Sequence, residues 1–426
     1  MNKPSLKPLF SITVIVAALG YFVDVYDLIL VGIVRIPSLT SLGFSTDQAF
    51  HYGVMIINYQ MIGMLIGGII WGVLGDRIGR VKILFGSIIL YSLANICNAF
   101  VQNIDQYLLC RFFAGLGLAG ELGIAITLVL EILPTNIRGY GTMLVASIGV
   151  SGSIAANLVS KNFNWRYAYI IGGILGLALI FTQKFVLESG TFNKLEQGRN
   201  TMTGSQSKTS NFISFFTSFT RGNFFAFFTH KKLFFKYLFS ILIGLPIWYS
   251  LSVLINFAPE FSKVLKITGK INGGDAIMFY YIGATAGDIL SGMLSQILHS
   301  RKKVVILFIS FLTVMIAVYL SQSELSVTSF YIICALTGLP AGYWAVFVTM
   351  AAEQFGTNLR ATAASTIPNF VRGLVYPTTS LFYYLIPSNG VITSGAFCGL
   401  ICLSLAFISI FMLDETYSKE LDYSEN

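Results

Sequence analysis

Long apolar runs alternate with short polar segments along nearly the whole chain. An α-helix needs about 20 predominantly apolar residues to cross a bilayer, and twelve runs are close to that length or exceed it. They lie at 9–34, 53–74, 82–101, 104–130, 139–160, 165–187, 233–258, 276–298, 303–321, 328–353, 361–386 and 391–413. The pattern predicts an all-α integral membrane protein with twelve transmembrane helices.

An internal repeat relates the two halves of the chain. Residues 117–139 and 339–361 align without gaps at an offset of 222 residues. The matched positions include Gly120 and Gly342, Glu131 and Glu353, and the tetrapeptides 135–138 and 357–360. Parallel repeats of six spans are the arrangement of one large class of transporters, so we expect two six-helix bundles.

A polar stretch rich in Ser, Thr and Lys separates the sixth run from the seventh. We therefore divide the chain into an N-terminal bundle at 1–190, a cytoplasmic linker at 191–232, and a C-terminal bundle with a short cytoplasmic tail at 233–426. The later part of the linker is rich in Phe and is followed by Lys231 and Lys232. This composition suits an interfacial helix on the inner leaflet, and a disordered linker is the alternative.

The distribution of Lys and Arg predicts the orientation. If both termini are cytoplasmic, 19 of these residues lie on that side, six lie on the opposite side, and Arg111 and Arg372 remain inside spans. Positive charge accumulates in cytoplasmic loops, so we expect both ends to face the cytoplasm. The first apolar run contains acids and has no small-residue cleavage site, so it is predicted to be an uncleaved first span of a bacterial inner-membrane protein.

Composition excludes several classes of protein. Of the 426 residues, 55% are hydrophobic and 11% are charged, against about 25% charged in soluble domains. A soluble enzyme and a secreted disulfide scaffold do not fit, and the net charge of +8 lies in cytoplasmic loops rather than on a nucleic-acid surface. The three His and five Cys are dispersed, and the chain has no phosphate-binding Gly-Lys-Ser/Thr loop. We expect no enzyme activity, no metal and no cofactor. The expected partners are the lipid bilayer, a small solute and protons, for a chain that acts as a monomer.

Six ionisable residues fall inside predicted spans, namely Asp24, Asp27, Arg111, Glu121, Asp288 and Arg372. A charge at the bilayer centre costs at least about 2.5–3.5 kcal/mol, and such residues usually mark a path for a solute or a proton. Buried structural ion pairs are the alternative. We predict proton coupling by Asp24, Asp27, Arg111 and Glu121, with Asp27 as the first choice and Glu121 as the second.

Spacing indicates how these residues are arranged. Asp24 and Asp27 are three residues apart and share a helix face. Arg111 and Glu121 are ten residues apart, or about 15 Å along a helix axis, so we expect Arg111 to contact an acid of the first span instead of Glu121.

Side chains with hydrogen-bonding tips supply candidates for binding the solute, although Tyr and Trp also serve in packing and at membrane interfaces. The candidates are Tyr26, Arg111, Trp248, Tyr249, Asn256, Tyr280, Tyr281, Asp288, Tyr343, Trp344, Asn369, Arg372 and Tyr376. Arg372 falls near mid-membrane, where a guanidinium can bind a carboxylate in bidentate fashion. Arginines in both halves therefore predict a carboxylate-bearing solute.

The loop after the second run reads Gly72-Val-Leu-Gly-Asp-Arg-Ile-Gly-Arg-Val-Lys82. It closely resembles the signature loop of the major facilitator superfamily, and its second-half equivalent, from Gly292 to Lys303, is degraded. The resemblance implies the major facilitator fold and a cytoplasmic latch between the halves. Gly72, Asp76, Arg77 and Arg80 are the predicted latch residues. Glu131, Arg138, Glu353 and Arg360, at the ends of the fourth and tenth spans, are further candidates for gating, through pairs with Arg80 or with each other.

A narrower resemblance involves the first and fourth spans. Asp24-Val-Tyr-Asp27 followed by Gly32, and Arg111 through Gly120-Glu121 to Arg138-Gly139, are similar to the metabolite:proton symporter branch of that superfamily. Val25 and Ala119 depart from the branch pattern, and no C-terminal coiled coil follows Asp414. The resemblance implies proton-coupled import, by alternating access, of an organic acid, a carboxylate siderophore, an amino acid or a betaine. A proton-antiporting exporter and a receptor that moves no solute remain alternatives, whereas a membrane enzyme would need a catalytic constellation that the chain does not display.

Overall fold

The computed structural model describes residues 7–78, 80–134, 137–188, 224–228, 230–356 and 359–418. Within these ranges the regular structure is helical, apart from one isolated bridge between Thr268 and Ser326. The helices are α1 Ile12–Ser41, α2 Thr46–Ile78, α3 Arg80–Asn98, α4 Ile104–Leu118, α5 Glu121–Ile132, α6 Arg138–Val150, α7 Gly152–Asn162, α8 Trp165–Glu188, α9 Lys231–Leu242, α10 Leu245–Tyr249, α11 Ala258–Val264, α12 Gly273–Ile297, α13 Arg301–Ser321, α14 Val327–Ala341, α15 Trp344–Glu353, α16 Arg360–Gly373 and α17 Val375–Met412. Short 3₁₀ helices cover Lys7–Phe10 and Phe224–Phe228, and a π-helical turn covers Ser250–Ile255.

These helices form twelve spans within the described part of the chain. Eight helical segments are long and apolar enough to cross a membrane, and two shorter apolar helices accompany them. The longest segment, Thr362–Met412, supplies two spans, because it turns at Gly390, where φ is +75°. The remaining span consists of α4 and α5, which carry Arg111 and Glu121. The twelve-span prediction is confirmed.

We name the two ends of the bundle by the chain segments they hold. The terminal end is where α1 begins and the last span finishes, and the far end is where α1 finishes. The Lys236 ammonium donates to the Gln354 carbonyl, and the Gln354 side chain donates to the Asp414 carbonyl, all at the terminal end. At the far end, the Trp165 indole donates to the Ser41 hydroxyl.

The two halves meet along a seam in which α2 packs against α16 and α6 packs against α12. Glycines allow the close approach. A Cβ added to Gly123 would lie 2.4 Å from the backbone Cα of Ser365, and one added to Gly68 would lie 2.8 Å from the Asn369 Cβ. Larger side chains at these positions would force the halves apart. The seam also has contacts at both ends, as described below.

Two spans are interrupted at equivalent points of the repeat. The fourth span breaks before α5 begins at Glu121, and the tenth breaks before α15 begins at Trp344. Further along, Arg138 Nε donates to the Leu133 carbonyl, and Arg360 Nε donates to the Phe355 carbonyl. The sequence repeat therefore corresponds to a structural repeat, with half-helices that start inside the bundle.

Most of the predicted linker, residues 191–223, lies outside the described residues, as does the greater part of its expected interfacial helix. The short helix Phe224–Phe228 packs on the second half, since Phe227 stacks on Tyr237 at 4.4 Å between ring centroids and lies edge-on to Phe355. Phe224 and Phe227 are buried, whereas Phe225 and Phe228 are about half exposed. The division into two bundles and a linker stays a prediction.

Candidate functional site

A buried ion pair joins the two halves near the middle of the seam. Arg372 Nη2 of α16 lies 3.9 Å from Asp24 Oδ2 of α1, and both side chains are almost completely buried. The separation suits an ion pair but is too long for a hydrogen bond. Neither oxygen of Asp24 has a hydrogen-bond partner in the described part of the chain, and the same is true of the Arg372 Nε atom. The two charges therefore attract each other, while the Asp24 oxygens and the Arg372 Nε–H could still form hydrogen bonds with another molecule.

Aromatic and amide side chains hold Arg372 in position. Its guanidinium carbon lies 5.6 Å from the ring centroids of both Trp248 and Trp344, which are themselves 6.1 Å apart. Arg372 Nη1 donates to Asn369 Oδ1 at 3.3 Å, and the Asn369 amide donates to the Ala119 carbonyl at 2.9 Å. Because Ala119 lies at the break in the fourth span, Asn369 connects Arg372 to the other half.

Asp288 lies beside this group on α12. It is fully buried, and its Oδ1 accepts the Ala345 N–H at 3.0 Å, at the start of the half-helix α15. Its Oδ2 has no hydrogen-bond partner among the described residues. Asp288 and Arg372 both act electrostatically on the hydroxyls of Tyr21 and Tyr281. The central site therefore contains Asp24, Asp288, Trp248, Trp344 and Arg372, with Tyr21, Tyr281 and Asn369 around them.

Asp27 and Arg111 face the interior of the first half instead. The Asp27 carboxylate lies against Gly172 of α8. Arg111 donates to Asn95 at 2.5 Å and to Asn98 at 3.3 Å, and it lies over the Tyr169 ring at 4.4 Å. Arg111 acts on Asp27 electrostatically, but the described residues contain no ion pair between them.

This arrangement corrects three predictions. The first-span acid that pairs with an arginine is Asp24, and its partner is Arg372 rather than Arg111. Asp24 and Asp27 do not share a single environment, because one faces the second half and the other faces α8. Arg111 is enclosed by α3 and α8, so the central site holds one arginine and not one from each half.

Glu121 lies between these two regions. Its carboxylate packs over Gly20 of α1, and both of its oxygens are buried. The carboxylates that act on it electrostatically are Asp24 and Asp27. Three acids thus converge around α1, as the candidate proton-coupling set requires, although their roles stay a prediction.

Several predicted solute ligands are engaged in packing. Three tyrosine hydroxyls of the second half donate to backbone carbonyls of the same half: Tyr249 to Gly395, Tyr280 to Ile247, and Tyr343 to Ile243. In the first half, the Tyr26 hydroxyl donates to the Ala168 carbonyl at 2.9 Å. Each hydroxyl secures neighbouring helices, and the binding of a solute by these four tyrosines stays a prediction.

Two further candidates lie away from the central site. Tyr376 is 47% exposed and does not belong to the buried group. Asn256 lies near the far end, where its backbone carbonyl accepts the Arg35 guanidinium at 2.5 Å and its side chain faces Gly32. Asn256 is therefore a residue of the seam and not of the central site.

Charged contacts across the far end were missed from sequence. Arg35 Nη2 lies 3.5 Å from Glu260 Oε1, and its guanidinium carbon lies 4.8 Å from the centroid of the Phe257 ring. Asp275 accepts the Asn157 amide at 3.1 Å and pairs with Lys161. Charged residues are common in loops, so their presence near the span ends did not distinguish these contacts. The one feature of the sequence that pointed to a buried charge is that Arg35 directly follows the apolar run of the first span.

At the terminal end, the described gating candidates contact neighbouring helices. Gly72 faces Thr366 across the seam. Glu353 pairs with Arg301, at 3.4 Å between Oε1 and Nη2, and accepts the Thr416 hydroxyl at 2.8 Å. Arg138 and Arg360 donate to carbonyls, as given above. The side chains of Asp76, Arg77, Arg80 and Glu131 lie outside the described part of the chain.

The C-terminal tail adds an acid that the sequence did not single out. Glu415 accepts hydrogen bonds from the Ser300 hydroxyl and from the backbone N–H groups of Arg301 and Lys302, at the start of α13. Partial burial opposes ionisation, but these hydrogen bonds and one from the Tyr417 N–H outweigh it, so the pKa of Glu415 lies below its ordinary value. The tail therefore caps α13 with an ionised carboxylate.

Comparisons with known proteins agree with this architecture. The family model described as Major Facilitator Superfamily matches residues 10–377. The chain is 38% identical over 138 residues to the niacin transporter NiaP of Acinetobacter baylyi, covering 32% of this chain and 31% of that protein. It is 30% identical over 195 residues to the 4-hydroxybenzoate transporter PcaK of Pseudomonas aeruginosa, covering 44% and 42%. The matched segments thus span about a third to a half of these curated relatives.

A solved structure matches over almost the full length. The proton:xylose symporter XylE, bound to 6-bromo-6-deoxy-D-glucose, has a TM-score of 0.70 and 16% identity, with 97% of this chain and 98% of that chain covered. The fold predicted from the signature loop is confirmed. The chain belongs to the Major Facilitator Superfamily, a family of multi-pass membrane transporters and not of enzymes.

Proposed function

We propose that this protein is a secondary active transporter that moves a small carboxylate-bearing solute together with protons by alternating access. The observation that carries the proposal is the buried ion pair between Asp24 and Arg372 across the seam. A buried ion pair between two halves that move relative to each other is costly to keep unless a partner replaces one member. A carboxylate solute is such a partner for Arg372.

Exchange of partners at Arg372 would couple the solute to a proton. When the solute carboxylate binds the guanidinium, Asp24 loses its cation and remains buried. Burial disfavours the charged form of a carboxylate that has no cation beside it, so Asp24 takes up a proton. Solute and proton then bind together, and release of the proton restores the ion pair. This sequence favours symport over antiport.

The two indoles beside Arg372 favour a flat solute. Trp248 and Trp344 lie at equal distances from the guanidinium, and the Trp248 Nε1–H has no hydrogen-bond partner among the described residues. An aromatic ring can pack against one of these indoles while its carboxylate meets Arg372. The names of relatives that transport niacin and 4-hydroxybenzoate agree with this preference, since both compounds are aromatic carboxylic acids.

Asp24 replaces Asp27 as the first candidate for the coupling acid, because Asp24 contacts the other half. Asp27, Glu121 and Arg111 complete the proposed proton-coupling set around α1. Arg111 and Asp24 act electrostatically on Asp27. Asp24 and Asp27 act in the same way on Glu121. The proposal includes import across a bacterial inner membrane by a monomer with both termini in the cytoplasm.

Purified protein in proteoliposomes tests the proposal. We expect labelled 4-hydroxybenzoate or nicotinate to accumulate above the level in protein-free liposomes when the outer solution is more acidic, and to exchange across the membrane without a pH gradient. Arg372→Ala should abolish both activities. Solute efflux driven by inward protons would indicate the antiporting exporter. Binding without movement would indicate a receptor, and accumulation that ignores the pH gradient would exclude coupling.

A further inference from the structure

We propose that Asp288 is a specificity-determining residue that accepts a hydrogen bond from a donor group on the solute. The solute would carry a carboxylate at one end and a hydroxyl or N–H donor at the other. This inference rests on the proposed function, because it places the solute carboxylate at Arg372.

Trp344 relates the two ends of the proposed site. Its ring lies 5.6 Å from the Arg372 guanidinium, and the peptide N–H that follows it, from Ala345, donates to Asp288 Oδ1 at 3.0 Å. Arg372 therefore lies at the ring of Trp344, and Asp288 lies at the backbone next to it. The proposal places a planar solute on that indole with its carboxylate on Arg372 and its donor group at Asp288.

The free oxygen of Asp288 supplies the acceptor. Asp288 is 0% exposed, and Oδ2 has no hydrogen-bond partner among the described residues, although Oδ1 has one. A buried acceptor left without a donor costs about 1–3 kcal/mol, and a charged one costs more. The described ion pairs hold Asp24, Asp275, Glu260 and Glu353, and not Asp288. A solute donor would satisfy this oxygen.

The start of α15 keeps the acceptor in place. The N-terminus of a helix favours negative charge and points its N–H groups at it, which fixes Oδ1 and leaves Oδ2 to the solute. The neighbouring turn is also tied down, since the Ser291 hydroxyl donates to the Gly342 carbonyl at 2.6 Å. Such a rigid acceptor lowers the affinity for a solute that lacks the donor, because its own hydrogen bond is then left unmade.

Matched pairs of solutes test the inference. The probes are 3- and 4-hydroxybenzoate, their methyl ethers and benzoate, each used to inhibit exchange by purified protein in proteoliposomes. We expect the wild type to bind one hydroxybenzoate at least about tenfold more tightly than its methyl ether, as for a hydrogen bond to a charged group. Asp288→Asn should reduce that ratio to within about twofold, because an amide can keep the Ala345 contact but presents N–H groups to the solute.

Two more variants keep the test decisive. Asp275→Asn makes the same change on the same helix at the far end, and it should retain the preference for the hydroxylated probe. If Asp288→Asn does not fold, Asp288→Ser, whose hydroxyl is one bond too short to present an acceptor at the Oδ2 position, should lose the preference.

A retained preference in Asp288→Asn would overturn the inference, as would a wild type that does not distinguish hydroxybenzoates from their ethers. Loss of proton-driven accumulation with an unchanged preference would make Asp288 a protonation site and would also overturn it. Failure of the wild type to bind any of these carboxylates would instead contradict the proposed function.

Discussion

Asp24 and Arg372 approach within 3.9 Å across the boundary between the two halves, and no other described ion pair joins the halves in the middle of the bundle. The charged contacts at the far end are nearer the surface, since Glu260 and Lys161 are partly exposed. Among the described ion pairs between the halves, the central pair is thus the one whose breakage would leave two fully desolvated charges. A solute and a proton are the natural replacements for the lost partners.

Asp24→Asn should uncouple transport. The amide keeps the shape of the side chain but takes up no proton, so accumulation driven by a pH gradient should be lost. Exchange of solute without a gradient should persist, because Arg372 remains available. Parallel assays of gradient-driven uptake and of exchange measure the loss of the first activity against retention of the second. Asp275→Asn is the control variant, because it changes an acid outside the central site. Full accumulation by Asp24→Asn would transfer the coupling role to Asp27 or Glu121.

Arg372→Ala should destabilise the protein by about 3–5 kcal/mol, because it leaves Asp24 buried without a cation. The double variant with Asp24→Asn should recover much of this loss, since the uncompensated charge is gone. Thermal or denaturant unfolding in detergent gives the four free energies of unfolding that the cycle needs, for the wild type, Arg372→Ala, Asp24→Asn and the double variant. Transport should be absent in both variants that lack Arg372. Strictly additive losses of stability would show that the two residues do not interact.

A covalent link at the far end should stop the cycle. A Cβ on Gly274 would lie 2.6 Å from the Asn157 side-chain oxygen, on opposite sides of the seam. In the double variant Asn157→Cys and Gly274→Cys, oxidation should cross-link the halves and abolish exchange, and reduction should restore it. Each single cysteine variant serves as a control. Normal exchange by the oxidised, fully cross-linked protein would mean that the far end does not open.

Glu415→Gln should lower stability near neutral pH and make it less sensitive to acid. The folded-state pKa of Glu415 is depressed, so its stabilising effect is complete above the unfolded-state value, about 4.3. That effect is lost as pH falls through the lower folded-state value. Melting temperatures at pH 7 and pH 4 should differ less for the variant than for the wild type. Asp414→Asn changes the neighbouring exposed acid and should behave like the wild type.

The spans, the repeat and the list of buried charges could be predicted from the sequence. Apolar runs of bilayer length must form helices, because lipid satisfies no backbone hydrogen bond. The offset between Gly120 and Gly342 also revealed the repeat, whereas the breaks in both spans beside these glycines were found only in the structure. Ionisable side chains that are buried in the membrane can also be identified from the sequence, because they interrupt an apolar run. Asp24, Asp288 and Arg372 were found in this way without a structure.

The partners of those charges could only be found in the tertiary structure. Asp24 and Asp27 differ by about 60° around a helix, and that small rotation sends one toward Arg372 and the other toward α8. Arg111 and Arg372 have the same chemistry, yet the packing of α4 on α3 surrounds Arg111 with Asn95 and Asn98, whereas α16 faces the seam. Sequence determines which groups must be satisfied inside the membrane. Helix rotation and the contacts between halves decide which group satisfies which, because spacing along one helix contains no information about its neighbours.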